Sequence, residues 1–213
     1  MLFQGLTALH WIDKNCKNAK WIFKSDDDIV INIFEFRKKL KSLEEIYSFN
    51  TTEKVYKPPI KNQTVGIENV QTKNKTLLKN MFFCKVWARS RVYKEGKNCH
   101  AKQCITEEEW PGDFFPPYCS GSTFLFPVRT SRFLLNAYTK VPFFWIDDIY
   151  ITGILSLVKN IQHYGLDKHY NLYSHLTGYT YKKNDIFVHY PKSVEKMTIV
   201  WNTILKNENK TIT

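Results

Sequence analysis

The chain has 213 residues, enough for a domain with a substantial core, and its 43% hydrophobic and 15% aromatic content excludes a disordered chain. Lys and Arg outnumber Asp and Glu by 31 to 20, a net charge of +11 that favours anionic partners. The lysines are scattered singly or in pairs, with no dense basic block and no nucleic-acid motif, so nucleic acid is not an expected partner; no apolar run of about 18 residues is long enough to span a membrane.

The first twenty residues lack the basic region and small-residue cleavage site of a signal peptide. Leu2, Leu6, Leu9 and Ile12 fall at helical spacing instead and predict an amphipathic helix over 2–15. The stretch "AKWIFKSDDDIVINIF" then raises a question: an apolar strand over 20–25 delivers three adjacent acids, Asp26, Asp27 and Asp28, and a second apolar run, Ile29-Val30-Ile31, follows at once. A helix is predicted over 32–43, with Asn32 as N-cap and Ile33, Phe36, Leu40 and Leu43 on one face.

Residues 48–76 are polar and lysine-rich, contain Pro58-Pro59 and three of the chain's four Asn-x-Ser/Thr sequons (Asn50, Asn62 and Asn74; the fourth is Asn209), and predict surface loops with a short hairpin. "MFFCKVWA" (81–88) reads as a strand. Residues 89–118 read as a long charged loop, of a kind usually functional or mobile. A strand over 123–126, helices over 130–140 and 148–159, a strand over 185–190 and a helix over 193–206 complete the prediction. Helices alternating with short apolar strands, without repeats or a break in composition, predict a single α/β domain over 1–213 with a mainly parallel sheet.

The five cysteines, Cys16, Cys84, Cys99, Cys104 and Cys119, leave connectivity open. Cys99-His100 with Cys104 lacks the second ligand pair of a zinc site. Sequons arise by chance about twice in such an Asn-rich chain. Together with the cysteines, they point to the lumen of the secretory pathway.

Three adjacent carboxylates repel one another and resist burial without compensation, which a divalent cation supplies. On an extended segment Asp26 and Asp28 point to the same side, and hard carboxylate oxygens suit Mg²⁺ or Mn²⁺, which also bind phosphate. An exposed acidic turn is the competing reading; the tight apolar flanks argue against it. Three further stretches carry chemistry: "WPGDFFPPYCSGSTFLFP", rich in aromatic residues, Pro and Gly; "VPFFWIDDIYITGIL", with the acid pair Asp147-Asp148 opening a helix; and "DIFVHYPKSVEKMTIVW", with a histidine at a strand end.

In that order and spacing these stretches resemble the β-1,3-glycosyltransferases of glycosyltransferase family 31, which includes galactosyl- and N-acetylglucosaminyltransferases. Lys24 to Asn32 matches the family's "hydrophobic-K-T/S-D-D-D-hydrophobic-hydrophobic-N", Phe115 to Gly121 its "Y/F-P-P-Y-C-S-G", and Asp147 to Gly153 its "E/D-D-V-Y-hydrophobic-x-G". His189, Met197 and Trp201 approach "H-x-x-x-P-x-x-M-x-x-x-W", with Pro191 shifted. The resemblance implies a GT-A-type fold, a UDP-sugar donor (UDP-Gal or UDP-GlcNAc), Mn²⁺ or Mg²⁺, and inverting β-1,3 transfer to a glycan acceptor on protein or lipid. It further implies Asp28 and His189 as metal ligands, Asp26 and Asp27 facing the ribose or supporting the metal, Asp148 as catalytic base, and Trp110, Tyr118, Ser120 and Gly121 as the wall of the sugar pocket. For Trp110, packing that anchors the loop is an equal reading; for Asp148, an N-cap role is compatible with catalysis. Like-charge repulsion from Asp147 is expected to raise the pKa of Asp148. Ser122-Thr123 stands where the family often has a second Gly after "SG".

A non-catalytic lectin-like or chaperone-like relative, an inactive fragment, and a metal-dependent phosphohydrolase are the alternatives; keeping Asp28, Asp148 and His189 favours the transferase. Only 25 residues precede the acid triplet, where the family has a nucleotide-binding half, a stem and a membrane anchor. The resemblance therefore implies an incomplete N-terminal part, an open sheet edge, and a full-length type II protein of the Golgi membrane facing the lumen, held to the membrane only through that missing anchor.

Overall fold

The computed structural model describes residues 2–48, 80–96, 99, 103–173, 181–190 and 193–209. The loops expected over 48–76, the sequons at Asn50, Asn62 and Asn74, and His100 and Pro191 lie outside the described residues, apart from Ser48. In chain order the elements are α1 (Leu2–Asn15), β1 (Trp21–Ser25), β2 (Ile29–Ile31), α2 (Ile33–Ser48), β3 (Met81–Trp87), β4 (Tyr118–Pro127), α3 (Thr130–Tyr138), a π-helical turn (Ile149–Ile154) running into α4 (Leu155–Lys159), β5 (Gln162–Gly165), a 3₁₀ turn (Asp167–His169), β6 (Tyr170–Asn171), β7 (Phe187–His189) and α5 (Val194–Asn207).

Two mixed sheets result. The larger has the order β1-β4-β3-β5 and the smaller β2-β7-β6. β1 with β4, β4 with β3 and β2 with β7 run antiparallel; among the strands of the described residues only β3 with β5 and β6 with β7 run parallel. The expectation of a mainly parallel sheet is therefore corrected. Alternation of helix and strand along the chain does not fix pairing, because β1 and β3 both take the much later β4 as partner rather than following a βαβ crossover.

Burial explains the continuous apolar runs. Alternate residues of β3 and β4 face opposite sides of the sheet. Phe82, Cys84, Phe124 and Phe126 enter a core with Leu9 of α1, Leu134 of α3 and Tyr150 and Leu155 of the π turn and α4. Met81, Phe83 and Leu125 face the other core, with Phe36 and Leu43 of α2 and Phe187 of β7. A sheet covered on both faces needs apolar residues at successive positions, as "MFFC" and "FLF" provide. The smaller sheet packs Val30 and Val188 against Val200 and Ile204 of α5. No helix among the described residues is long and apolar enough to cross a membrane.

The register of β3 and β4 shifts between Cys84 and Val86, and a Cys84–Cys119 disulfide joins the two strands there. A second disulfide, Cys99–Cys104, closes part of the loop between them. Asn32 caps α2 as its sequence position predicts: its Oδ1 accepts from the backbone N–H groups of Phe34 and Glu35, both at 3.2 Å.

Candidate active site

The acid triplet sits where β1 leaves the larger sheet. The backbone N–H of Asp26 donates to Ser122 O at 2.9 Å, so the triplet starts beside the first half of β4. The chain turns at Asp27 and Asp28 before entering β2. This corrects the expectation that Asp26 and Asp28 share a side: the segment is a turn rather than extended. Asp26 accepts from Lys24 Nζ at 2.5 Å, Asp27 is exposed, and Asp28 turns the other way, towards β7.

Pairing of β2 with β7 sets Ile29 opposite His189, and Tyr190 N donates to Asp28 O at 3.0 Å. Asp28 Oδ2 and His189 Nε2 consequently lie 3.2 Å apart. His189 Nδ1 faces Leu172 O at 3.2 Å, and a carbonyl only accepts, so the ring carries a proton on Nδ1. In the neutral ring Nε2 then presents a lone pair to a carboxylate oxygen. Such a pair is attractive only with a proton or a metal cation between the two atoms. The other oxygen, Asp28 Oδ1, is buried without a hydrogen-bond partner. Two cis ligands on an octahedral ion at about 2.1 Å are roughly 3 Å apart, so the pair fits a small divalent cation. Among the described residues no group of three or more His, Cys, Asp or Glu side chains gathers, so the pair offers two side chains that could hold such an ion. It suits an ion that completes its shell with phosphate and water oxygens.

Asp148 is built from the other two motifs. It opens the π turn, with Oδ1 accepting from Ile149 N at 2.9 Å, while Oδ2 accepts from Gly121 N at 3.1 Å. A Cβ on residue 121 would stand 3.0 Å from Asp148 Oδ2 and crowd the carboxylate, so the absence of a side chain eases this approach. Gly153, one turn on, packs its bare Cα against Tyr118 and Pro116, where a Cβ would meet Tyr118 Cβ at 3.2 Å. Thr152, fully buried between them, accepts from Cys119 N at 2.8 Å and donates to Asp148 O at 2.5 Å. The stretches 115–121 and 147–153 are thus two halves of one joint, which holds the Asp148 carboxylate.

Burial pushes the Asp148 carboxyl up to about 6 from its ordinary 3.8. The N–H of Ile149 opposes this, repulsion from Asp147 adds to it, and the N–H of Gly121 and the charge of Lys24 oppose it further. Asp147 acts in the expected direction, but burial is the larger cause.

The other expected pocket residues divide. Ser120 is buried and its Oγ lies 3.0 Å from Ser122 Oγ, on the same strand as Gly121. Tyr118 donates to Ser90 Oγ at 3.2 Å. Trp110 packs its ring against Phe115 and Phe144, at centroid distances of 5.4 and 5.7 Å, and its Nε1 donates to Phe114 O at 3.2 Å. These are loop-anchoring contacts. Two residues of the site were given no role from the sequence, Lys24 having been read only as the first residue of the acid-triplet motif. Lys24 contacts both Asp26 and the Gly121 carbonyl; its signal is a lone cation inside the apolar strand "WIFKS". His163, on β5, is buried, its pKa lowered to about 4 by that burial. It is therefore neutral at pH 7, and its Nε2 donates to Thr152 O at 2.6 Å, bracing the joint from behind.

The chain matches the sequence profile of the galactosyltransferase family over residues 1–167. It is 26% identical over 156 residues to beta-1,3-galactosyltransferase 4 of Canis lupus familiaris, covering 71% of this chain and 39% of that protein. It is 24% identical over 203 residues to the N-acetyllactosaminide beta-1,3-N-acetylglucosaminyltransferase 2 of Mus musculus, covering 92% and 41%. Similarity to the UDP-GalNAc:beta-1,3-N-acetylgalactosaminyltransferase 1 of Sus scrofa is 24% over 159 residues, covering 75% and 38%. The chain thus spans about two fifths of the length of these curated relatives.

Proposed function

From the premise that this chain belongs to the galactosyltransferase family, we propose that it acts as a metal-dependent, inverting β-1,3-hexosyltransferase on a GT-A-type fold, in which Asp148 is the catalytic base. The donor is UDP-galactose or UDP-N-acetylglucosamine, and the acceptor is a sugar hydroxyl on a glycoprotein or glycolipid. The observation that carries this reading is the Asp148 carboxylate, mostly buried, gripped by two backbone N–H groups, and titrating at about 6. At pH 7 it is ionised yet far more basic than a free aspartate, which suits it to take a proton from an attacking hydroxyl. Its two N–H contacts use half of its lone-pair sites and leave the others for the acceptor.

In the transfer the acceptor oxygen forms a bond to the sugar C1 as its proton passes to Asp148. The bond from C1 to the diphosphate oxygen breaks, and UDP leaves with the electron pair. Asp28 and His189 would hold Mn²⁺ or Mg²⁺, which supplies positive charge against the departing diphosphate. Asp26 and Asp27, beside this pair, face the nucleotide; Ser120 and Gly121, beside Asp148, face the sugar. The reading assigns the protein to the oxidising lumen of the Golgi, in agreement with the Cys84–Cys119 and Cys99–Cys104 pairs.

A screen of UDP-sugars with Mn²⁺ and β-galactoside or β-N-acetylglucosaminide acceptors tests the reading. A β-1,3-linked product from one donor supports it. Donor cleavage that acceptor does not redirect would make the protein a hydrolase, and absence of UDP binding would make it a non-catalytic binder.

A further inference from the structure

We propose that Lys24 is a positioning residue: its ammonium ties the acid triplet to Gly121 of β4, whose N–H grips Asp148, so that the two sides of the site hold one geometry. This rests on the reading of Asp148 as the base. Pairing of β1 with β4 sets Lys24 opposite Phe124, and the side chain passes over the Phe124 ring, Nζ lying 5.8 Å from its centroid. Nζ then donates to Asp26 Oδ1 at 2.5 Å and to Gly121 O. Gly121 is thereby held at both ends, its N–H by Asp148 and its carbonyl by Lys24.

The second hold matters because of what Gly121 is. Gly121 lies in β4 between the paired residues Cys119 and Thr123, at the register shift with β3, and without a Cβ its backbone is less restrained than that of its neighbours. The hold on its carbonyl adds to the strand's own restraint on where the N–H aims. Stability does not account for the arrangement. The side chains of Lys24 and Asp26 are 33% and 48% exposed, and ion pairs at that exposure contribute little to folding. The charged and titratable groups facing Asp148 are Asp147 on its own segment, Lys24 from β1 and the Tyr118 phenol from β4. Lys24 is the cation among them, so its removal also has an electrostatic signature at Asp148.

The test uses Lys24→Met, which keeps the aliphatic stem over Phe124, and Lys24→Arg, which keeps the charge and the donors. Lys24→Gln serves as the same loss if Met is not tolerated. Asp148 is followed by carboxyl ¹³C shifts in aspartate-labelled protein, and transfer is measured at saturating donor and acceptor. Loss of Lys24 is expected to move the Asp148 midpoint up by roughly half a pH unit and to cut kcat by about tenfold or more, with Arg recovering most of both. An unmoved midpoint, or wild-type kcat in the Met variant, would overturn the proposal. If the wild type transfers no sugar at all, the functional reading fails, and the carboxyl midpoint still decides whether Lys24 governs Asp148.

Discussion

Replacing Asp148 by Asn removes a buried carboxylate whose cost to folding depends on pH. The carboxyl titrates at about 6 in the folded chain and at 3.8 ordinarily. Because the folded pKa is raised, the folded state binds the proton more tightly than the unfolded state does. Stability therefore falls as pH rises from about 4, and the full penalty is present above about 6. A shift of about two units at 1.36 kcal/mol each makes that penalty about 3 kcal/mol. Asparagine carries no such penalty. It does present one oxygen where the carboxylate presents two, so Gly121 N or Ile149 N loses its acceptor, at about 1–3 kcal/mol independent of pH. The readout is therefore the slope and not the absolute stability. Urea unfolding of wild type and Asp148→Asn at intervals from pH 4 to 7.5 should show the variant gaining on the wild type by up to about 3 kcal/mol across the range. Parallel profiles, or a variant that loses ground as pH rises, would refute the account of Asp148 as a carboxyl raised by burial.

The same carboxyl must be ionised to accept a proton, so transfer by the wild type should fall about tenfold per pH unit below about 6; activity undiminished at pH 5 would exclude Asp148 as the base. Gly121→Ala sets a methyl 3.0 Å from Asp148 Oδ2 and should lower kcat with little change in UDP affinity, as steady-state kinetics beside UDP titration will show. Removing Cys84 and Cys119 together opens a loop of 35 residues and should cost about 3–4 kcal/mol in denaturant unfolding, with m raised because the unfolded chain is freer to expand.

The acid turn and the Asn32 cap were legible because each depends on local chemistry: like charges between apolar runs, and a side-chain oxygen just ahead of a helical pattern. Asp148 and Gly121 were legible only as members of motifs, since the contact joining them spans 27 residues. The sequence lost β4 most plainly. Its first half, "YCSGS", reads as a turn, yet it runs as strand because Tyr118 and Cys119 pair with Trp87 and Val86 beyond a register shift. β5 and β6 are too short to carry their own periodicity; Gln162 to Gly165 becomes a strand through its parallel pairing with β3. The roles of Lys24 and His163 were missed for a related reason. Each acts through a backbone carbonyl, of Gly121 and of Thr152, and no side-chain pattern announces such a partner.

The central claim is that the base and the metal pair are separate devices on one site, and calorimetric titration of UDP in the presence of Mn²⁺ tests it most directly. Asp148→Asn should bind UDP within about threefold of wild type while transferring no detectable sugar, whereas Asp28→Asn and His189→Ala should lose the Mn²⁺-dependent part of UDP binding. Loss of UDP binding in Asp148→Asn equal to that in Asp28→Asn, or full Mn²⁺-dependent binding without Asp28 and His189, would contradict it.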